Sequence, residues 1–150
     1  MSYLRNRMEK KKILFICTHN SCRSQMAEGL FRNLYGDYYD VYSAGTEPSV
    51  INPFAIKAMK EIGIDITGQY SKSINEFLNY QFDYVVTVCD SAKSTCPFFP
   101  NGKHYMHKSF KDPSQVFGSR KEKMEAFCNT RDRIEQWLKQ LFSKEICAKP

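Results

Sequence analysis

Two short apolar runs, Ile13-Leu14-Phe15-Ile16 and Tyr84-Val85-Val86-Thr87-Val88, constrain the fold more than any other feature of the chain. Runs of this length with little polar alternation suit strands buried on both faces, as in a parallel sheet. The second is the clearer strand, because Val85 to Val88 is β-branched throughout. Helical signals follow each strand. Met26, Leu30 and Leu34 recur at i, i+4 and i+8, with Ala27 and Phe31 beside them, predicting an amphipathic helix that ends near Gly36. Val41-Tyr42-Ser43 reads as a further strand stopped by Gly45 and Pro48. A helix is expected from Pro53 to Glu61, with Pro53 suited to its first turn. A short helix is expected over 73–79, and Lys103 to Met106 is a weaker strand. The last helix is expected from Ser119 to Phe142, with Phe127, Ile134, Trp137, Leu138 and Leu141 on one stripe. Alternating strands and helices argue for βαβ units around a parallel sheet with right-handed crossovers. At 150 residues the chain fits one domain. Residues 1–9 are expected to form a flexible extension, 10–143 the folded domain and 144–150 a tail.

In a sheet of this kind ligands bind outside the carboxyl ends of the strands. Cys17 stands at the end of the first run and Cys89 at the end of the second, so both thiols are expected at one edge of the sheet. The segment Cys17-Thr18-His19-Asn20-Ser21-Cys22-Arg23-Ser24 links the first strand to the first helix. A helix N-terminus offers unpaired N–H groups and the positive end of its dipole, and successive loop amides can form a nest around a tetrahedral oxyanion. Arg23 supplies a planar, bidentate donor. The same field favours the thiolate of Cys17, making it the expected nucleophile. Ser24 is placed to donate to that thiolate, and Asn20 to hold the loop's shape. Cys22 is expected to be packed rather than reactive.

Composition narrows the setting. An apolar fraction of 42% and a charged fraction of 25% are ordinary for a globular protein. Five basic residues precede Ile13, as in a signal peptide. The apolar stretch that follows spans only Ile13 to Cys17, whereas a secretory core needs roughly 7–15 apolar residues. No membrane segment is expected, and a cytoplasmic location is. The net charge of +6 suits an anionic substrate. The basic residues are scattered, and no nucleic-acid-binding motif accompanies them. Six cysteines in a reducing compartment point to metal binding or redox chemistry. A zinc site from Cys89, Cys96, His104 and His107 is disfavoured, because their spacings of six and two intervening residues miss the usual ligand gaps.

The run from Cys17 to Gly29, with Tyr42-Ser43-Ala44-Gly45 and Asn52-Pro53, resembles the low-molecular-weight tyrosine phosphatase superfamily. More narrowly, it is similar to the thioredoxin-coupled arsenate reductases, with the resemblance reaching from about Lys11 to Leu141. It implies a single α/β domain with a four-stranded parallel sheet in the order 2-1-3-4, flanked by helices. The loop cannot separate phosphatase from reductase, since phosphate and arsenate are nearly isosteric. Cys89 and Cys96, with six residues between them, match the reductase pattern. The resemblance implies that Cys89 attacks Cys17 to expel arsenite, and that Cys96 then attacks Cys89 and presents a Cys89–Cys96 disulfide to an external dithiol. The implied reductant is thioredoxin, with glutaredoxin the alternative. A helical 89–96 segment would separate its ends by about 10 Å, whereas a disulfide needs Cα atoms within roughly 4.4–6.8 Å. The segment must therefore bend, which Pro97 favours.

Asp112-Pro113 stands where both families place a general acid. Ser114 follows, where phosphatases have a tyrosine. Some reductases of the family hold potassium through positions equivalent to Asn20, Glu28 and Ser43 together with an Asp. Lys72 occupies the place of that Asp, so its ammonium opposes a cation and can replace it electrostatically; no metal site is expected. No organic cofactor is implied, and a monomer is expected. The rival readings are a tyrosine phosphatase and, from another class, a non-catalytic oxyanion- or metal-binding protein.

Overall fold

The computed structural model describes residues 10–89 and 99–147, with side chains as far as 143. Its centre is a four-stranded sheet of β1 (Lys11–Cys17), β2 (Tyr39–Gly45), β3 (Phe82–Thr87) and β4 (Gly102–His107). The strands lie in the order β2-β1-β3-β4 and every pairing is parallel. Three α-helices, α1 (Arg23–Tyr35), α2 (Pro53–Glu61) and α3 (Arg120–Cys147), connect and cover it. Short 3-10 turns stand at Ile74–Phe77 and Pro113–Gln115.

β1 is flanked on both sides: Ile13 pairs with Val41 and Tyr84, and Ile16 with Ala44 and Thr87. This explains its uninterrupted apolar run, since Ile13 to Ile16 have no exposed surface. The pleat sorts these side chains between two cores. Ile13, Phe15 and Cys17 join residues of all three α-helices, among them Met26, Leu30, Phe31, Met59, Phe127, Ile134, Leu138 and Phe142. Leu14 and Ile16 face the other way, against Ala44, Phe77, Phe82, Val85 and Phe99. Burial of each large side chain contributes roughly 1.5–3 kcal/mol. β4 is an edge strand with Lys103, His104 and Tyr105 exposed, and its sequence signal is correspondingly weak.

Several boundaries differ from expectation. α3 runs to Cys147, past the expected end at Phe142 and into the stretch read as a tail, because no Gly or Pro interrupts 143–147. On its apolar stripe Trp137 and Leu141 are only partly buried. α1 stops at Gly36 as expected, but Gly36 keeps a right-handed backbone (φ −61°), so its left-handed freedom is not what ends the helix. The short helix expected over 73–79 is a four-residue 3-10 turn, with the Ser73 hydroxyl accepting from the Asn75 N–H. Among the described residues no helix is long and apolar enough to cross a membrane.

Phe142 ties α3 to the sheet. Its ring meets Phe31, Tyr39 and Tyr84 edge-on at centroid distances of 4.9, 6.0 and 5.4 Å. Phe142→Ala should therefore cost about 3–5 kcal/mol, read as a lowered midpoint in urea unfolding. A loss below about 0.5 kcal/mol, the scale of an ordinary surface change, would show that α3 is peripheral to the core.

Candidate active site

β1 delivers Cys17 to the carboxyl edge of the sheet, and α1 opens at Arg23. The intervening loop folds closely over β2. A Cβ on Gly45 would lie 2.5 Å from the Thr18 carbonyl oxygen and 2.8 Å from that of Cys17, so only glycine permits this approach. The loop carbonyls are then tied outward. Those of Thr18, His19 and Ser21 accept from the backbone N–H groups of Glu47, Ser49 and Asn52, and that of Asn20 from the Gln25 side chain. In a planar trans peptide the next N–H points opposite to the carbonyl. The amides of His19, Asn20, Ser21 and Cys22 are thereby turned away from these anchors, as a nest for an anion requires. Cys22 at the start of α1 makes no side-chain cap, and the first turn holds no acidic residue, so the positive end of the helix keeps its field.

The sulfur of Cys17 is buried and lies 2.9 Å from Ser24 Oγ. Asn20 Nδ2 donates to Ser24 Oγ (2.7 Å) and to Ser43 Oγ (3.0 Å). Because Ser24 Oγ already accepts from Asn20, its own hydrogen is free to be donated to the Cys17 sulfur. Asn20 Oδ1 in turn accepts from the Lys72 N–H (2.8 Å) and from Gln25 Nε2 (2.9 Å), which fixes the orientation of the amide. Asn20 has φ +51°, the one positive value on a non-glycine among the described residues. Asparagine tolerates this left-handed conformation better than most residues.

Arg23 is buried and reaches across to the segment before the second 3-10 turn. Its Nη1 donates to the Phe110 carbonyl at 3.0 Å, and its Nη2 lies 3.5 Å from Asp112 Oδ2. Phe110 is itself held by an edge-on contact with Trp137 at 5.9 Å. Asp112 Oδ1 accepts from both the N–H and the hydroxyl of Ser114, at 2.9 and 2.7 Å. Among the described residues, Arg23 Nε is a buried donor with no acceptor.

Cys89 follows β3 and is buried, with its sulfur 3.7 Å from the carbonyl oxygen of Ile16, the residue before Cys17. Both thiols thus occupy the sheet edge expected for them. Cys96 and Pro97 lie outside the described residues. Among the described residues, Cys17, Cys22 and Cys128 carry free thiols.

The other expected residues divide between backbone and side-chain roles. Thr18, His19 and Ser21 belong to the loop through their peptide groups. The His19 ring is exposed and turns aside to the Glu47 carbonyl at 3.1 Å. Lys72 is buried, with its ammonium 3.7 Å from Glu28 Oε1. Two features go beyond the sequence reading: the anchoring of Arg23 by the Phe110 carbonyl, and the use of Ser114 to hold Asp112. The second was readable, since Asp-Pro-Ser can close a turn in which the Asp carboxylate accepts from the residue two positions on.

A family model for low molecular weight phosphotyrosine protein phosphatases matches residues 12–149. The chain belongs to that family. Within it, an arsenate reductase from Halalkalibacterium halodurans is 49% identical over 132 residues, covering 88% of this chain and 95% of the relative. The fold is shared with a structure described as an arsenate reductase in the phosphate binding state, with TM-score 0.76, 34% identity, and coverage of 89% and 98%. A thioredoxin-dependent arsenate reductase of Corynebacterium glutamicum is also similar, with TM-score 0.64 and 28% identity over 90% of this chain and 63% of that one.

Burial pushes the Cys22 thiol up from 9.0 to about 12, against the lowering influence of the Ser21 hydroxyl. At pH 8 only about one Cys22 in 10⁴ would be ionised. Iodoacetamide at that pH should modify Cys17 and leave Cys22 intact on peptide mapping. Labelling of Cys22 at the rate of a free thiol would contradict its packed, protonated state.

Proposed function

We propose that this member of the low molecular weight phosphotyrosine protein phosphatase family is an arsenate reductase in which Cys17, Cys89 and Cys96 carry the electrons. The observation that carries the reading is the placement of the Cys89 sulfur against the Ile16 carbonyl, one residue from the nucleophile. A phosphatase needs Cys17, Arg23 and Asp112 but has no use for a second thiol beside them. The kinship with arsenate reductases over nearly the whole chain supports the same choice.

The chemistry follows from the site. A tetrahedral oxyanion in the loop would take N–H groups from the nest and from Arg23, whose orphan Nε it would satisfy. The Cys17 thiolate, with Ser24 donating to it, forms a bond to arsenic as an As–O bond breaks. Asp112 protonates the departing oxygen, which leaves as water. Cys89 then attacks the Cys17 sulfur. The S–As electron pair stays on arsenic, reducing it from As(V) to As(III), and a Cys17–Cys89 disulfide forms. Cys96 attacks Cys89 and releases the Cys17 thiolate. A dithiol reductant reduces the resulting Cys89–Cys96 disulfide, and thioredoxin is the form of reductant we favour. All of these residues come from one chain, so the cycle suits a monomer, and the free thiols suit a reducing cytoplasm.

The decisive variant is Cys89→Ser, assayed for arsenite production and for hydrolysis of a small aryl phosphate. Arsenate turnover should vanish while any aryl phosphatase activity persists, because only the first reaction needs the second thiol. Cys96→Ser should release one arsenite per chain and then stop with thioredoxin as reductant. Equal loss of both reactions in Cys89→Ser, or of neither, would remove Cys89 from the relay.

A further inference from the structure

Basic residues that are scattered along the sequence gather in space on one side of the domain. Two clefts, of about 450 and 290 Å³, lie between the segment that follows β4 and one face of α3, and they share Arg133 and Gln136 as a common wall. Lys108 and Lys111 stand on the first side and Arg133 on the second. The wall from α3 is formed by Asn129, Arg133, Gln136 and Gln140. These recur at i, i+4, i+7 and i+11 and so make one polar stripe of the helix. Together the clefts form a groove open to solvent, with the half-buried Trp137 at one end and Val116 at the other.

The charges of the groove do not cancel. Two carboxylates line it, and both are engaged elsewhere: Asp132 Oδ1 lies 2.8 Å from Arg131, and Asp112 serves Arg23 and Ser114. Lys108, Lys111 and Arg133 make no ion pair among the described residues. Three like charges on one concave wall repel one another and attract an incoming anion. A small oxyanion is a poor occupant, because all three cations are exposed and none is desolvated to grip it. A chain segment fits better, since the amides of the α3 stripe can bond to a peptide backbone. Phe117, the residue after Val116, is 94% exposed, more than any other large apolar side chain among the described residues. Aromatic side chains of this kind anchor protein contacts.

The position of the groove says which protein comes to it. The Lys108 N–H donates to the Thr87 carbonyl at 3.0 Å, so the groove begins at the carboxyl end of β3, two residues from Cys89. We propose that the groove docks the protein reductant, which lays an acidic segment along Lys108, Lys111 and Arg133 and so brings its own dithiol to Cys89. The proposal rests on the reductase reading above and adds to it the recognition surface and the charge of the partner. The exchange it serves is balanced. One partner thiolate attacks the Cys89–Cys96 disulfide, and the second partner thiol resolves the mixed disulfide. The partner leaves oxidised, and its two electrons and two protons remain on Cys89 and Cys96 as thiols. The three cations bind the partner and touch neither arsenate nor the reacting sulfurs.

The test compares wild type with a neutral variant, Lys108→Gln/Lys111→Gln/Arg133→Gln, and a charge-keeping one, Lys108→Arg/Lys111→Arg/Arg133→Lys. Each is assayed at saturating arsenate with an acidic thioredoxin as reductant, and again with dithiothreitol in its place. In the neutral variant KM for thioredoxin should rise about tenfold, as expected for the loss of three exposed ion pairs, while turnover with dithiothreitol stays the same. The charge-keeping variant should remain within about twofold of wild type. Raising the salt from about 0.01 to about 0.15 M shortens the Debye length from about 30 to about 8 Å. KM for thioredoxin should climb with that change in wild type and stay flat in the neutral variant. An unchanged KM for thioredoxin in the neutral variant overturns the proposal. So does an equal loss with both reductants, which would place the three cations in the arsenate reaction or in the fold. Wild type that makes no arsenite even with dithiothreitol defeats the reductase reading and the groove's role with it. Wild type that does make it, with KM unmoved in the neutral variant, defeats the groove alone.

Discussion

The side-chain amide of Asn20 is the joint on which the oxyanion loop turns. It donates to Ser24 and Ser43 and accepts from Lys72 and Gln25, while its backbone sits in the left-handed region. Four partners from α1, β2 and the segment after α2 hold one residue in a conformation it would not hold alone. The consequence is local and directional: the loop carbonyls stay outward, the amides are turned the other way, and the Ser24 hydroxyl keeps its hydrogen for Cys17. Polar networks of this kind are strong when every member is satisfied and costly when one is not. Here the member left over, Arg23 Nε, belongs to the residue that would grip the oxyanion.

The sheet contributes by geometry rather than by chemistry. A parallel register that sets Cys17 against Gly45 and Ile16 against Thr87 brings the ends of β1 and β3 to one edge, and therefore two cysteines 72 positions apart in sequence. The aromatic cluster of Phe31, Tyr39, Tyr84 and Phe142 holds the opposite end of the domain rigid. The loop can therefore carry a left-handed residue and two buried ions without the domain giving way beneath it.

Much of this was legible in the residues because it follows from short-range rules. The buried runs of β1 and β3 announce parallel strands, and the Cys17-to-Ser24 segment announces a tight loop leading from a strand into a helix N-terminus. Asn52 before Pro53 starts α2 where it should. What could not be read depends on contacts between distant segments. Composition and periodicity do not say that Lys72 lies buried beside Glu28, because an exposed lysine has the same spelling; only the resemblance, which sets Lys72 in the place of an Asp grouped with Glu28, points there. The carbonyl of Phe110 as an anchor for Arg23 is invisible for a similar reason, since every residue has a carbonyl. The continuation of α3 to Cys147 escapes the sequence because no stop signal marks Phe142, and a tail is expected there only from the loss of apolar periodicity.

The central claim is that two electrons leave two cysteine thiols of this chain and enter arsenic. It is tested most directly by a single turnover without external reductant: fully reduced protein is mixed with an equal amount of arsenate, and arsenite and free thiols are counted together. One arsenite per chain, two thiols lost, and a disulfide joining Cys89 to Cys96 on peptide mapping is the predicted outcome. Arsenate recovered unchanged with all six thiols still free would contradict it.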